Sequence, residues 1–127
     1  MVTSPQNLRL ISATSGDVVL AFDGAAGVDH YDLYRSVDQT TSGSPINVIG
    51  IPEPAGPDYT VVFEDNGVNT ISPPIAPNVY RFMVVAVDSL GNFSLPSNIL
   101  IVPLSVNEVQ AITPKRVDLI SVEVRGN

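Results

Sequence analysis

The sequence contains no cysteine and no tryptophan, and its only histidine is His30. Without cysteine the chain can form neither a disulfide framework nor a thiolate zinc site. One imidazole cannot build a multi-histidine metal site, and a solvated or interface role for it is favoured over general base catalysis. No Gly-x-Ser-x-Gly motif, Ser/His/Asp set or glycine-rich phosphate loop is present. We therefore expect no enzyme activity, with no catalytic residue, no cofactor-binding residue, no metal ligand and no cofactor.

Positive charge is also scarce. The 127 residues include six Lys and Arg against 13 Asp and Glu, which gives a formal net charge of -7. With no basic stripe, we expect neither nucleic acid nor an anionic membrane surface as a partner. No stretch approaches about 18 uncharged apolar residues, and the first residues lack a basic region followed by an apolar run. If Met1 is the native start, this predicts that no ordinary signal exports the chain.

The apolar residues are arranged in short runs. Apolar residues make up 44% of the chain and charged residues 15%, which predicts one packed domain. The runs are rich in Val, Ile, Tyr and Phe, are bounded by Gly, Pro, Asn, Asp or Ser, and show no sustained 3.6-residue period, so they predict an all-β fold. Seven short strands indicate a sandwich or a barrel. The predicted strands span residues 8–13, 17–22, 30–36, 46–51, 59–64, 79–88 and 98–102, and Pro103 is predicted to end the last one.

Two kinds of loop lie between the predicted strands. Residues 52–57 and 73–77 are proline-dense, which predicts semi-rigid surface connections. The turns at 65–67 and 88–92 are rich in side-chain oxygen, but neither has the ligand count or terminal glutamate of a calcium loop. Ordinary turn hydrogen bonding is therefore predicted for both.

One long segment carries a family pattern. Residues 79–98 read Val-Tyr-Arg-Phe-Met-Val-Val-Ala-Val-Asp-Ser-Leu-Gly-Asn-Phe-Ser-Leu-Pro-Ser-Asn. This order resembles the F strand, F–G loop and start of the G strand in fibronectin type III domains of the bacterial and phage type. Their pattern is Tyr-x-Tyr/Phe-x-Val-x-Ala-Val-Asp-x-x-Gly-Asn-x-Ser-x-Pro-Ser. Residues 5–8, 31–36 and 63–67 are similar to the family's opening, its C strand and the end of its E strand, so the resemblance covers residues 5 to 102.

The resemblance implies an immunoglobulin-like, two-sheet antiparallel β-sandwich over residues 1–103, followed by a C-terminal arm or extra strand over 104–127. Phe22 stands where the family usually has Trp, and Tyr80 is the candidate for its hallmark tyrosine. The connection from Asp65 to Tyr80 is longer than the usual E–F connection. Two inward-facing sets are implied to pack against each other across the core. They are Tyr80, Phe82, Val84 and Ala86 on one strand, and Leu20, Phe22, Tyr31 and Leu33 on two others.

Side chains that alternate with this inward set predict a partner surface. Along the two central strands Tyr34, Met83, Val85 and Val87 should point outward and form an apolar patch. An outer face is normally polar, so such a patch needs cover. Two interpretations stay open: a partner subunit binds the patch, or the C-terminal segment or the 73–77 loop folds over it.

The C-terminal arm carries a second predicted contact. Apolar residues alternate there in both phases, which predicts a strand covered on both faces, and Pro114 places its start near Arg116. Either the strand pairs with a partner or neighbouring copy, or it is an eighth strand of its own sandwich. The residues predicted to make the contact are Val117 and Leu119 on one side and Ile120, Val122 and Val124 on the other.

These features favour a non-enzymatic structural or protein-binding module. The function expected is that of an accessory component of a tailed phage virion, such as a head decoration, neck or tail protein, with other protein subunits or a second copy as partners. The phage part follows from the family resemblance. The alternative is an adhesion or spacer module of a secreted bacterial carbohydrate-active or surface protein, located outside the cell.

Overall fold

The described part of the chain folds into two antiparallel sheets. The computed structural model describes residues 2–37 and 43–105. One sheet has the order β1-β2-β5 and the other β4-β3-β6-β7, and no helix occurs in the described ranges. The predicted all-β sandwich is confirmed. The strands are β1 Gln6–Thr14, β2 Asp17–Asp23, β3 His30–Val37, β4 Ile51–Pro52, β5 Thr60–Asp65, β6 Asn78–Val87 and β7 Leu100–Leu104.

The fourth predicted strand, over residues 46–51, is the one that differs most. Only Ile51–Pro52 forms strand β4, and before it Asn47 bridges Thr70. The side chain of Asn47 explains the difference, because its Oδ1 accepts from the Leu33 amide at 2.8 Å and its Nδ2 donates to the Ile49 carbonyl at 3.1 Å. A side chain therefore takes the place of backbone pairing beside β3, and no regular ladder forms there.

Strand β7 also differs from the prediction, since Pro103 does not end it. The strand continues to Leu104, which pairs with Asn78 and is buried in the core. Because β7 is the last strand of its sheet, the missing amide of Pro103 need not break a ladder. The domain core accordingly extends one residue beyond the predicted boundary at 103.

The core lies between the two sheets, where the sequence predicted it. All eight residues of the predicted inward sets are buried and belong to one apolar cluster. Phe22 packs edge-on against Tyr31, with ring centroids 5.0 Å apart and an interplanar angle of 69°. This geometry is one that aromatic pairs prefer, so Phe22 fills the position of the family's Trp.

Tyr31 is held at its hydroxyl as well as at its ring. The hydroxyl donates to Glu53 Oε1 at 3.0 Å and accepts from the Ala25 amide at 3.1 Å. Burial of the ring raises the pKa of Tyr31 to about 12. A Cβ at Gly24 would overlap this hydroxyl, so a residue without a side chain is required there.

A buried ion pair joins the two sheets. Arg35 of β3 lies at one end of the core, where its Nη1 donates to both carboxylate oxygens of Asp65 at 3.0 and 2.9 Å. Thr70 donates to the same carboxylate at 2.6 Å, and Arg35 also donates to the carbonyl and hydroxyl oxygens of Ser72 at 2.8 and 2.6 Å. The guanidinium carbon lies 5.4 Å from the centroid of the Tyr80 ring. The pair is thus enclosed by hydrogen bonds, which a buried charge requires.

The long connection between β5 and β6 is fastened to the end of the sandwich. The Tyr80 hydroxyl accepts from the Ile75 amide at 2.9 Å and lies 3.3 Å from the Ile75 carbonyl, to which it can donate. Pro74 is fully buried, and its carbonyl accepts from the Gly16 amide. Tyr80 therefore pins this connection despite its extra length, as the hallmark tyrosine of the family is expected to do.

Replacing Arg35 by Met should reduce the free energy of unfolding by about 3–5 kcal/mol, because it leaves the Asp65 carboxylate buried without its counter-ion. Urea denaturation of the two proteins measures the change. The double variant Arg35→Met/Asp65→Leu is the control, since removal of both charges should restore most of the loss. A double variant as unstable as the single one would contradict the charge argument.

The ion pair also predicts a pH dependence. Burial raises the pKa of Asp65, and the hydrogen bonds from Thr70 and Arg35 offset only part of this rise. The folded carboxyl therefore binds its proton at a higher pH than the unfolded one, so its contribution to stability is complete below the unfolded pKa and is lost as pH rises through the folded pKa. As the pH falls from about 7 to about 3.5, the wild-type chain should therefore gain stability relative to the Asp65→Asn variant. Urea denaturation of both proteins at several pH values measures this difference. A wild type that lost stability relative to the variant as the pH fell would refute the raised pKa of Asp65.

Candidate protein-binding surface

The outer face of the four-stranded sheet holds the predicted patch, but only part of it is exposed. Tyr34, Met83, Val85 and Val87 lie outside the core cluster, as the alternation predicted. Val85 and Val87 are nevertheless only 8% and 4% exposed, so the expected exposure of these two residues is wrong. Tyr34 and Met83 are half-buried. The partner role of the four residues stays a prediction, and Val85 and Val87 offer little surface for it.

The segment after the β6 turn shows how Val87 is enclosed. Val87 bridges Phe93, and Ser94 pairs with the next β6 residue through its amide, which donates to the Ala86 carbonyl, and its hydroxyl, which accepts from the Ala86 amide, both at 2.9 Å. Ser97 pairs with Val84 in the same way at 2.8 and 2.9 Å. Two serines thus extend the β7 side of the sheet along β6. The 73–77 loop does not provide this cover, since it lies against Gly16 and Tyr80 at the end of the sandwich.

The serine pairing turns large apolar side chains toward solvent. Ser94 and Ser97 pair with β6, and Phe93 and Leu95 on either side of Ser94 are exposed. Farther along, Ile99 and Ile101 alternate with Leu100 and Val102, which pack in or against the core, so these two isoleucines lie on the outer face. We call Phe93, Leu95, Ile99 and Ile101 the apolar ridge; they are 64%, 71%, 56% and 52% exposed. Scattered apolar residues on a surface are ordinary, but a row at one sheet edge marks a candidate binding site.

The ridge was missed by the sequence reasoning, although a signal for it exists. Phe93 and Leu95 occupy the two variable positions of the Gly-Asn-x-Ser-x-Pro-Ser pattern. The family pattern does not require apolar residues at these two positions, so a Phe and a Leu there indicate a surface contact. The resemblance itself rests only on the fixed positions of the pattern. The predicted surface thus lies one strand away from where the exposed apolar residues are.

A second apolar feature lies at the opposite edge of the sandwich. Between β4 and β5 the two sheets leave a cleft of about 490 Å³, which we call the intersheet groove. Its floor is formed by the buried residues Ile51 and Val61, and its sides carry exposed apolar residues. The lining residues are Val48, Ile49, Gly50, Ile51, Pro52, Glu53, Pro54, Thr60, Val61, Val62, Phe63, Val68 and Asn69.

Side chains cap one backbone group at each end of the β5 edge that borders the groove. Asp58 Oδ1 accepts from the Thr60 amide at 3.0 Å, and the Asn69 side chain donates to the Glu64 carbonyl at 3.1 Å. Pro52 supplies no amide on the other side. Capping of this kind protects an edge from strand addition.

The polar groups that the sequence raised as candidates are occupied by local contacts. His30 lies half-buried on the outer face against Gly50, and its Nδ1 is 2.8 Å from Asp29 Oδ2. Asp88 accepts from the amides of Leu90 and Asn92 at 3.0 and 2.8 Å, and hydrogen bonds from Asn92 lower the pKa of Asp88. The Asp88 contacts are the turn hydrogen bonds predicted for 88–92, and Asn66 likewise accepts from the amides of Val68 and Asn69 at 2.9 Å each. Asp65 differs from the prediction, because its carboxylate is buried in the ion pair with Arg35. Within the described ranges, no group of three or more His, Asp or Glu residues is arranged to hold a metal ion.

The predicted contact residues of the C-terminal arm are not part of the surface that can be described. Val117, Leu119, Ile120, Val122 and Val124 lie outside the described residues, and their role stays a prediction. Over residues 2–37 and 43–105, no helix is long and apolar enough to span a membrane.

Comparison with known proteins identifies the fold. No protein-family model matches the sequence, and no curated protein matches it. A myokine structure aligns with a TM-score of 0.54 and 12% identity over 83% of this chain and 99% of the myokine chain. Astrotactin-2, a vertebrate-specific perforin-like membrane protein involved in neuronal development, aligns with a TM-score of 0.55 and 18% identity over 82% of this chain.

The third comparison is with the FN1-FN3 domains of chicken CNTN1, a contactin. It gives a TM-score of 0.53 and 16% identity over 81% of this chain. This chain spans 33% of the contactin chain and 22% of the astrotactin chain. Together with the two antiparallel sheets, the likeness shows an immunoglobulin-like sandwich of the fibronectin type III kind. At these identities it shows the fold alone.

The difference in burial between Val85 and Leu95 can be tested by mutation. Val85→Asp should destabilise the fold by more than about 2 kcal/mol, because it buries a carboxylate with no partner. Leu95→Asp should change the free energy of unfolding by less than about 0.5 kcal/mol, because the side chain is already in water. Urea denaturation of both variants tests this. Equal losses would contradict the assignment of Leu95 to an exposed ridge.

Proposed function

We propose that this chain is a non-enzymatic structural module that binds other protein subunits within a larger assembly, as an accessory component of a tailed phage virion. The observation that carries the proposal is the exposed apolar ridge along β6 and β7. Burying the exposed parts of four such side chains contributes roughly 1–2 kcal/mol each, and many copies in one assembly would help to offset the cost of association. A solvated chain gains nothing from exposing them.

The polar chemistry of the described residues supports a binding role over catalysis. Arg35 and Asp65 bind each other in the buried ion pair, and His30 contacts Asp29 on the outer face. None of these groups opens into the intersheet groove, whose lining is mostly apolar. Glu53, Thr60 and Asn69 are the polar residues of this lining, and Glu53 is held by the Tyr31 hydroxyl. A mostly apolar cleft fits side-chain docking better than substrate activation.

The virion setting rests on the resemblance of residues 79–98 to fibronectin type III domains of the bacterial and phage type. In a particle that holds many copies of the chain, weak contacts would add up. The head, neck and tail of a tailed phage all provide repeated protein surfaces for a small module of this kind.

An adhesion or spacer role in a secreted bacterial protein is the second candidate. The comparisons support this role in one respect. The part of astrotactin-2 and of the contactin that aligns with this chain is only 22% and 33% of those longer chains. A module of that kind would be joined to further domains in one polypeptide, and its ridge would contact the neighbouring domain.

Particle incorporation tests the proposal. A tagged wild-type chain, supplied during infection of the native host, should sediment with purified virions and be visible on them by immunogold electron microscopy. Leu95→Asp should be lost from the particles because the ridge no longer fits its partner. Ile75→Asp is the matched control, an exposed loop residue away from the ridge, and should still be incorporated. Wild-type chain found only in the secreted fraction, as part of a longer polypeptide, would overturn the virion role.

A further inference from the structure

The chain leaves the described part of the structure beside the apolar ridge. Ile101 of the ridge lies in β7, which ends at Leu104, and the described residues end one residue later. Residues 106–127 follow. The stretch from Phe93 to Leu104 runs antiparallel to β6. A segment that turns back after Leu104 therefore passes along the ridge from Ile101 toward Phe93.

The remaining chain is long enough to reach every residue of the ridge. An extended chain spans about 3.3–3.6 Å per residue, so the 15 residues from 105 to 119 reach up to about 50 Å. The ridge segment, residues 93–101, is about 30 Å long at most. Residues 120–124 therefore come within reach of the whole ridge of their own chain.

Residues 120–124 have the pattern of a strand with one apolar face. Ile120, Val122 and Val124 alternate with Ser121 and Glu123. In an extended backbone the first set lies on one face and the second set on the other. Such a segment suits an apolar surface that it covers from one side, with its polar residues in water. The ridge is a surface of this kind, since its four side chains are 52–71% exposed.

We propose that residues 120–124 dock on the apolar ridge of their own chain before assembly, and that a partner subunit displaces them. The inference deepens the proposed function and rests on it for the displacement. A tethered segment meets the ridge at an effective concentration in the millimolar range, far above that of a free protein in dilute solution. Docking of about five residues is nevertheless weak, because it buries little apolar area, so the many contacts of an assembly can replace it.

The distribution of charge favours the chain's own arm over a second copy as the occupant. Residues 1–105 contain three Lys and Arg and ten Asp and Glu, which gives a net charge of -7. Residues 106–127 contain three residues of each sign and are neutral. Contact between two copies brings together two domains that each carry a charge of -7, whereas the arm adds no net charge to the surface that it covers.

A disulfide can report the docking in the full chain, because the chain has no cysteine of its own. After oxidation in dilute solution, Ile99→Cys/Val122→Cys should close an intramolecular disulfide about fivefold more often than the control Ile49→Cys/Val122→Cys. Ile49 is 79% exposed near β4, at the opposite edge of the sheet, and an undocked arm reaches both edges. Equal yields, or an excess of disulfides between copies, would overturn the inference.

The exposure of the ridge gives an independent measurement. Val122→Asp puts a carboxylate on the docking face, so it should uncover the ridge and raise the fluorescence of Nile red, an uncharged dye that binds apolar surface, about threefold. Ser121→Asp is the matched control, because it adds the same charge on the polar face, and it should behave as the wild type. Equal fluorescence of the two variants would contradict a docked arm.

Binding to particles separates this inference from the proposed function. Virions grown without the chain should bind the reduced Ile99→Cys/Val122→Cys protein about tenfold better than the oxidised protein, whose arm is locked on the ridge. Equal binding of the two forms would refute displacement of the arm. If neither form nor the wild-type chain binds, the proposed function fails, while the disulfide and dye results still decide whether the arm docks.

Discussion

The buried ion pair between Arg35 and Asp65 is the constraint on which the arrangement of this sandwich depends. A charge pair at the end of an apolar core is tolerated only when its remaining hydrogen bonds are made. Thr70 and Ser72 make them, and both belong to the connection between β5 and β6. The connection must therefore fold back over the pair, and Tyr80 fastens it with hydroxyl contacts to Ile75. The extra length of this connection supplies the polar groups that the ion pair needs.

With both sheets fixed in this way, the two open sides of the sandwich differ. On the β1 side, Asn98 accepts from the Leu8 amide at 2.8 Å and donates to the Leu8 carbonyl at 3.0 Å. These bonds join the two sheets, because Leu8 belongs to β1 and Asn98 lies just before β7. On the β4 side, Asn47 engages β3 but leaves the gap to β5 uncovered. One edge is consequently closed and carries the ridge, whereas the other stays open as the groove. The two edges of the sandwich therefore present different surfaces.

The inward-facing residues could be predicted because side-chain alternation is a property of the strand backbone alone. The burial of Val85 and the short extent of β4 could not, because they depend on contacts that hydrophobic patterning does not record. Asn47, Ser94 and Ser97 satisfy backbone groups of neighbouring strands with side-chain atoms, and so decide where the ladder stops and which residues turn outward. The ion pair could not be predicted either, because Arg35 and Asp65 lie 30 residues apart in sequence with no periodic signal to connect them.

The same contrast decides where function is to be sought. A myokine, an astrotactin and a contactin share this fold at 12–18% identity, so the core and its hydrogen bonds identify no activity. What is particular to this chain lies at positions that the fold leaves free, above all Phe93 and Leu95. Their side chains contribute little to the core, so large apolar residues there carry a cost in solubility without a gain in folding. An acidic surface offsets that cost in the isolated chain, and a complementary protein surface removes it in an assembly.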